Sequence, residues 1–128
     1  MINVLVLRVT EGIVEKVELP SDSKKQLDAL YNEIGCDCID ITNRVIGDKP
    51  YDIIVDDIGM FKEDAKVSAV TADGFPLLVG NLVFANHDGE GSTVGLFDDD
   101  IYNITHNLAW IQNVNVPEEN NLAVILKM

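Results

Sequence analysis

The sequence predicts an α+β fold in a single domain, 1–128, on three observations. Its first twenty residues set an apolar run against an alternating one, with turn residues between them. Two later segments switch to helical spacing: Leu27, Leu30, Tyr31 and Ile34 in one, Ile101, Ile104, Leu108 and Ile111 in the other. Short extended runs divided by Gly- and Asp-rich turns fill the rest. At 128 residues with 47% hydrophobic content and four prolines, the chain has the length for one core and a composition that argues against disorder.

Met1 to Val9 is rich in Val, Ile and Leu. After the turn signal "TEG", Ile13 to Leu19 alternates apolar and charged residues, so the two segments form an N-terminal β-hairpin with a half-exposed second strand. "PSDSKKQLDALYNEIG" follows as an amphipathic helix, capped at its start by Ser or Asp and ended by Gly35. Cys36, Cys38 and Ile41 resume a period of two, and "NRVIGDKP" supplies turn residues. Tyr51 to Val55 reads as a strand and Asp56, Asp57 and Gly59 as its turn. Val67 to Thr71 and Leu77 to Ala85 read as extended, joined by the turn "ADGFP", and "NHDGEGS" as a loop. Asp98, Asp99 and Asp100 open the C-terminal helix, where carboxylates favour the positive end of the helix dipole. The tail "VPEENNLAVILKM" ends in an apolar run suited to a final strand or to docking on a neighbouring subunit. The sheet is expected to be mostly antiparallel.

Twenty-two acidic residues against nine basic ones give a formal net charge of -13. Such a chain repels phosphate backbones and anionic membranes, so neither direct nucleic-acid binding nor membrane association is expected. A cationic partner suits it. No leader-like segment and no run of about 18 apolar residues occurs, so a cytoplasmic protein is expected. Cys36 and Cys38, if on one strand, stand roughly 6.5 to 7 Å apart, near the upper limit for a disulfide. With His87 and His106 distant in sequence, the cysteines do not make up a zinc ligand set and read as reduced thiols.

The acidic run "YDIIVDDIGMFKED", with Asp52, Asp56, Asp57, Glu63 and Asp64, has either a chemical or a structural meaning. On a strand Asp52 shares a face with Ile54 and Asp56, so these carboxylates read as a solvent stripe followed by a turn. "HDGEGS" lacks both the calcium-loop spacing and the phosphate-loop signature. His87 has no nucleophile that spacing nominates, and "FDDDI" fits helix capping better than chelation. Trp110 reads as core or interface. Arg8, Arg44, Lys49, Lys62 and Lys66 are scattered along the chain.

The run from Asn43 to Ile104, through "NR", "YDIIVDDIG", "LVGNLVF" and "FDDDI", resembles the core of the domain-of-unknown-function 3846 family, DUF3846. The opening hairpin and helix fit that family's layout. The resemblance implies a small product of a bacterium, a phage or another mobile element. It implies no activity, because the family is catalogued without one, and beyond Asn107 the chain departs most from the pattern.

No catalytic, cofactor or metal signature is present, so the expected function is binding rather than catalysis. The leading expectation is an acidic protein that occupies a cationic surface of a host or defence protein through Asp52, Asp56, Asp57, Asp98, Asp99 and Asp100. The alternative is a small-molecule or nucleotide-sequestering protein with a pocket near Asn43, Arg44, Asn81 and His87, on the polar "NR" and "GN" placed at strand ends. An enzyme using the carboxylates or His87 with a metal is the third expectation.

Overall fold

The structure, a computed structural model, describes residues 1–9, 11–59, 67–70, 76–112 and 122–126. Glu63, Asp64, Lys62, Lys66, most of the "ADGFP" turn and the start of the tail lie outside the described residues. The fold is α+β with a mostly antiparallel sheet, as the sequence predicts.

Strands β1 (Ile2–Arg8) and β2 (Ile13–Leu19) form the expected hairpin, in register from Ile2 opposite Leu19 to Arg8 opposite Ile13. Helix α1 (Ser23–Ile34) begins where the Asp22 carboxylate accepts the Lys25 N–H at 3.1 Å. It ends at Gly35, whose left-handed φ of 78° lets its N–H reach back to the Tyr31 carbonyl. Cys36 N–H bonds the same carbonyl, so the chain is still leaving the helix at the cysteines. The next strand, β3 (Ile39–Ile46), therefore starts after Cys36 and Cys38, not on them, and both thiols are free of disulfides.

The span "NRVIGDKP" is mostly strand. β3 continues to Ile46, and only Gly47 and Asp48 turn before β4 (Lys49–Asp56). A two-residue hairpin with Gly47 at φ 68° fits the strand twist, so the turn needs no more residues. β5 (Val67–Val70), β6 (Pro76–Val79) and β7 (Leu82–His87) follow. The apolar run Leu77 to Ala85 is thus not one extended segment: Gly80, at φ 75°, breaks it and sends its halves to different sheets. β8 (Thr93–Val94) pairs with the end of β7.

Helix α2 (Asp98–His106) is shorter than its apolar stripe suggests. Asn107 leaves the helical region, and its side-chain amide donates to the Asn103 carbonyl at 2.8 Å, satisfying a group that the next turn would have used. Leu108 and Ile111 belong instead to β9 (Leu108–Gln112), which pairs antiparallel with β10 (Leu122–Leu126). Trp110 is therefore on a strand, opposite Val124.

The larger sheet runs β2-β1-β7-β4-β3, with β8 on β7; the smaller runs β6-β5-β10-β9, where β10 pairs parallel with β5. On one face of the larger sheet, Val4, Val6, Ile54, Val83 and Ala85 pack with Leu30 and Ile34 of α1. On the other face, Leu5, Leu7, Tyr51, Ile53 and Phe84 pack with Ile104 of α2 and with Ala69 and Leu78 of the smaller sheet. Each fully buried aliphatic or Phe side chain contributes roughly 1.5–3 kcal/mol of transfer free energy, so this double core decides the layering. β4 is covered on both sides, which is why Asp52 is buried rather than part of a solvent stripe.

Candidate functional site

Asp52 sits in the middle strand of a three-strand patch. Across β3 it faces Asn43, and across β7 it faces Ala85, two residues before His87. Antiparallel pairing keeps opposed residues, and those two apart, on one face, so Asn43, Asp52 and His87 converge on the α1 side of the sheet. Asn43 Nδ2 donates to Asp52 Oδ1 at 3.1 Å, and His87 Nδ1 lies 2.8 Å from Asp52 Oδ2. The Asp52 side chain is 9% exposed and the imidazole 49%. In a neutral imidazole this contact pairs with the tautomer that carries its proton on Nδ1, which donates to the carboxylate.

The adjoining loop holds this imidazole at a defined place. His87 N–H donates to Asn86 Oδ1, and Asp88 Oδ1 accepts the N–H groups of both Glu90 and Ser92. The "HDGEGS" stretch is thus a side-chain-braced turn between β7 and β8, and His87 is the last residue of a strand instead of a free loop residue.

Asp100 has a different role from its neighbours Asp98 and Asp99, which are exposed. It is buried, and Lys49 Nζ at 2.6 Å and Tyr51 Oη at 3.0 Å both donate to its Oδ1. Oδ2 accepts the Phe97 N–H at 3.0 Å and so caps α2. Burial pushes the Asp100 carboxyl up, but Lys49, the Phe97 N–H and the Tyr51 hydroxyl outweigh it and hold the group below its ordinary value. Burial raises the Tyr51 phenol, and the hydrogen bond to Asp100 raises the Lys49 ammonium. Asn103 completes the network by donating to the Ile46 carbonyl and Tyr51 Oη. The acidic start of the helix signals the cap, but nothing in sequence spacing announces that Lys49 and Tyr51, some fifty residues earlier, are its partners.

The remaining candidates are spread out. Asn81 is a brace: its Oδ1 accepts the Val9 N–H and its Nδ2 donates to the Glu33 carbonyl, tying β1 to the end of α1. Arg44 follows Asn43 and so projects to the α2 side of the sheet. The structure therefore brings Asn43 and His87 together and places Arg44 and Asn81 elsewhere. Asp56 Oδ1 accepts the Ile58 N–H in the turn after β4, and Asp57 is exposed beside it. Arg8 bonds both Glu15 and Glu33, and these two carboxylates raise its guanidinium further. An open depression lined by Tyr31, Asn32, Cys36, Asp37 and Ile58 lies at the end of α1. Among the described residues no three His, Cys, Asp or Glu side chains gather as a metal-binding group, and no helix is long and apolar enough to cross a membrane.

Compared with protein families, residues 2–109 match the family described as "Domain of unknown function (DUF3846)". No curated protein and no solved structure matches the chain.

Proposed function

The chain belongs to the DUF3846 family; we propose that it works by binding, presenting an acidic surface to a cationic surface of a host or defence protein. In this reading it is a cytoplasmic product of a bacterium, phage or other mobile element. What supports the reading is where the exposed charges lie. Lys16, Lys24 and Lys25 are exposed on β2 and at the start of α1, beside one edge of the larger sheet, where Glu15, Glu18, Asp22 and Asp28 are exposed among them. Around the opposite edge, at β3 and its flanks, the exposed charged residues Asp37, Asp40, Asp48 and Asp57 are acidic, and the Lys49 ammonium is turned onto Asp100. A net charge of -13 steers a basic surface toward the protein, and the β3 edge offers it exposed carboxylates. The test is capture of partners from a bacterial lysate at low and high salt, with an unrelated domain of equal acidity as control. A specific partner lost at high salt is expected; affinity that stays flat across salt overturns the reading.

A second reading, a small-molecule or nucleotide-sequestering protein, is favoured by one observation: buried Asp52 holds two polar groups, the exposed Asn43 amide and the half-exposed His87 imidazole, side by side on one face. Native mass spectrometry of the purified protein and thermal shift with a nucleotide panel test it. Absence of both a bound species and any shift removes it.

A further inference from the structure

We propose that β3 is a docking edge that takes up, as an added strand, an extended partner segment in which basic and apolar residues alternate. The inference rests on the charge-based reading above and gives it a place and a geometry. β3 is eight residues long and ends the larger sheet, with no strand among the described residues on its outer side. The two-residue hairpin makes Ile46 and Lys49 a hydrogen-bonded pair, and the bonded pairs then alternate: Arg44 with Tyr51, Thr42 with Ile53, Asp40 with Val55. The N–H and C=O groups of Ile39, Ile41, Asn43 and Val45 consequently point outward, a ladder awaiting a partner. Consistent with this, the Ile41 N–H is met by the side chain of its own neighbour, Asp40 Oδ1, at 2.9 Å.

The side chains define the occupant. Ile41 and Val45 are 49% and 44% exposed on the α1 face, an unusual exposure for aliphatic residues on a flat strand. Asp40, exposed, lies on the other face. A strand laid against β3 therefore meets apolar contacts on one face and, on the other, exposed Asp40 beside half-buried Arg44. With Asp37, Asp48 and Asp57 exposed at the ends of the hairpin, the carboxylates outnumber that cation, which favours alternating apolar and basic residues. A second copy of this chain is a poor occupant, because two edges from molecules of charge -13 repel.

The probe is a blocked octapeptide of alternating Val and Lys, with a control of identical charge whose central Val is replaced by Pro, which cannot pair in a ladder. Binding is followed by fluorescence anisotropy at low salt, and amide exchange is followed by NMR. The expected result is exchange slowed at least tenfold at Ile39, Asn43 and Val45 with the Val-Lys peptide. Binding should weaken at least tenfold for the Pro control and for Val45→Pro. That variant removes the outward N–H together with the Val45 side chain, and its urea midpoint reports whether the hairpin is intact. Equal binding of both peptides with no β3 protection overturns the docking edge while leaving charge-based binding standing. No binding of the Val-Lys peptide overturns the docking edge as well, and the lysate capture then judges the wider reading. A dimer with β3 amides already protected overturns it in favour of self-association.

Discussion

Asp100→Asn is the perturbation whose size the structure fixes best. The carboxylate accepts from Lys49 Nζ, Tyr51 Oη and Phe97 N–H, all donors, and only 4% of its side chain is exposed. Asparagine keeps the shape but replaces one acceptor by an amino group, so at least one of these donors meets another donor. A hydrogen bond to a charged group contributes about 1.5–3 kcal/mol, and a buried donor left unmet costs about 1–3 kcal/mol. The Lys49 side chain is 47% exposed, so water replaces most of what it loses. The net expectation is a loss of about 2–3 kcal/mol, a large share of the ~5–15 kcal/mol typical of a domain. Urea unfolding followed by circular dichroism measures it: the midpoint falls while the slope stays constant. The pH dependence supplies a second readout. The folded Asp100 value lies below the ordinary 3.8, so its contribution is present above 3.8 and is lost as pH falls through the folded value. The gap between wild type and variant should therefore close in acid. A loss under about 0.5 kcal/mol, or a gap that persists to the lowest pH at which the wild type folds, refutes the network's role.

Gly47→Ala should destabilise by about 2–3 kcal/mol, because φ 68° strains an L-residue and the new methyl runs into the Asn103 side chain that pins the hairpin to α2; thermal unfolding checks it. The Tyr51 phenol should ionise above the ordinary 10.0 in an absorbance titration at alkaline pH, in a late step that Tyr51→Phe removes. Its folded value is raised, so its contribution holds below the ordinary 10.0 and is lost above it, and unfolding should accompany the late step. Nitrogen-15 NMR should find neutral His87 protonated at Nδ1, and Asp52→Ala should mix the tautomers; a wild-type Nε2-protonated ring contradicts the geometry.

Local rules were enough for the elements that local chemistry determines. The β1–β2 hairpin and the capped helix α1 lie where alternation, Asp22 and Gly35 put them, because period and caps are written within a few residues of each other. The misjudged places are those where tertiary pairing decides. Leu108 and Ile111 fit a helical stripe as well as a strand, and it is β10, over ten residues later, that claims them. Asp52 looks like a solvent residue until α1, β7 and β3 surround it. The same limit applies to the site. Asn43 reads from sequence as a polar strand end and His87 as a loop residue, but their convergence on one carboxylate depends on the β3-β4-β7 order, which no spacing encodes.

That carboxylate bears on whether the site is structural or functional. Position 52 lies between Ile54, Val83 and Ala85 on a packed face, where an aliphatic residue would extend the core. A buried charged group is weak evidence of stabilisation, since desolvation offsets much of what its partners contribute, and apolar replacements of such groups are often neutral or stabilising. Here the partners are not stranded by its removal, because Asn43 is exposed and the imidazole half exposed, so water satisfies both. Asp52→Val should then leave stability unchanged or raise it by about 1 kcal/mol. If the carboxylate serves to hold Asn43 on the docking edge and His87 at the rim, the same variant loses binding while keeping its fold. A variant that unfolds would assign Asp52 to architecture; one that folds better and binds worse would make it a positioning residue, retained at some expense to stability.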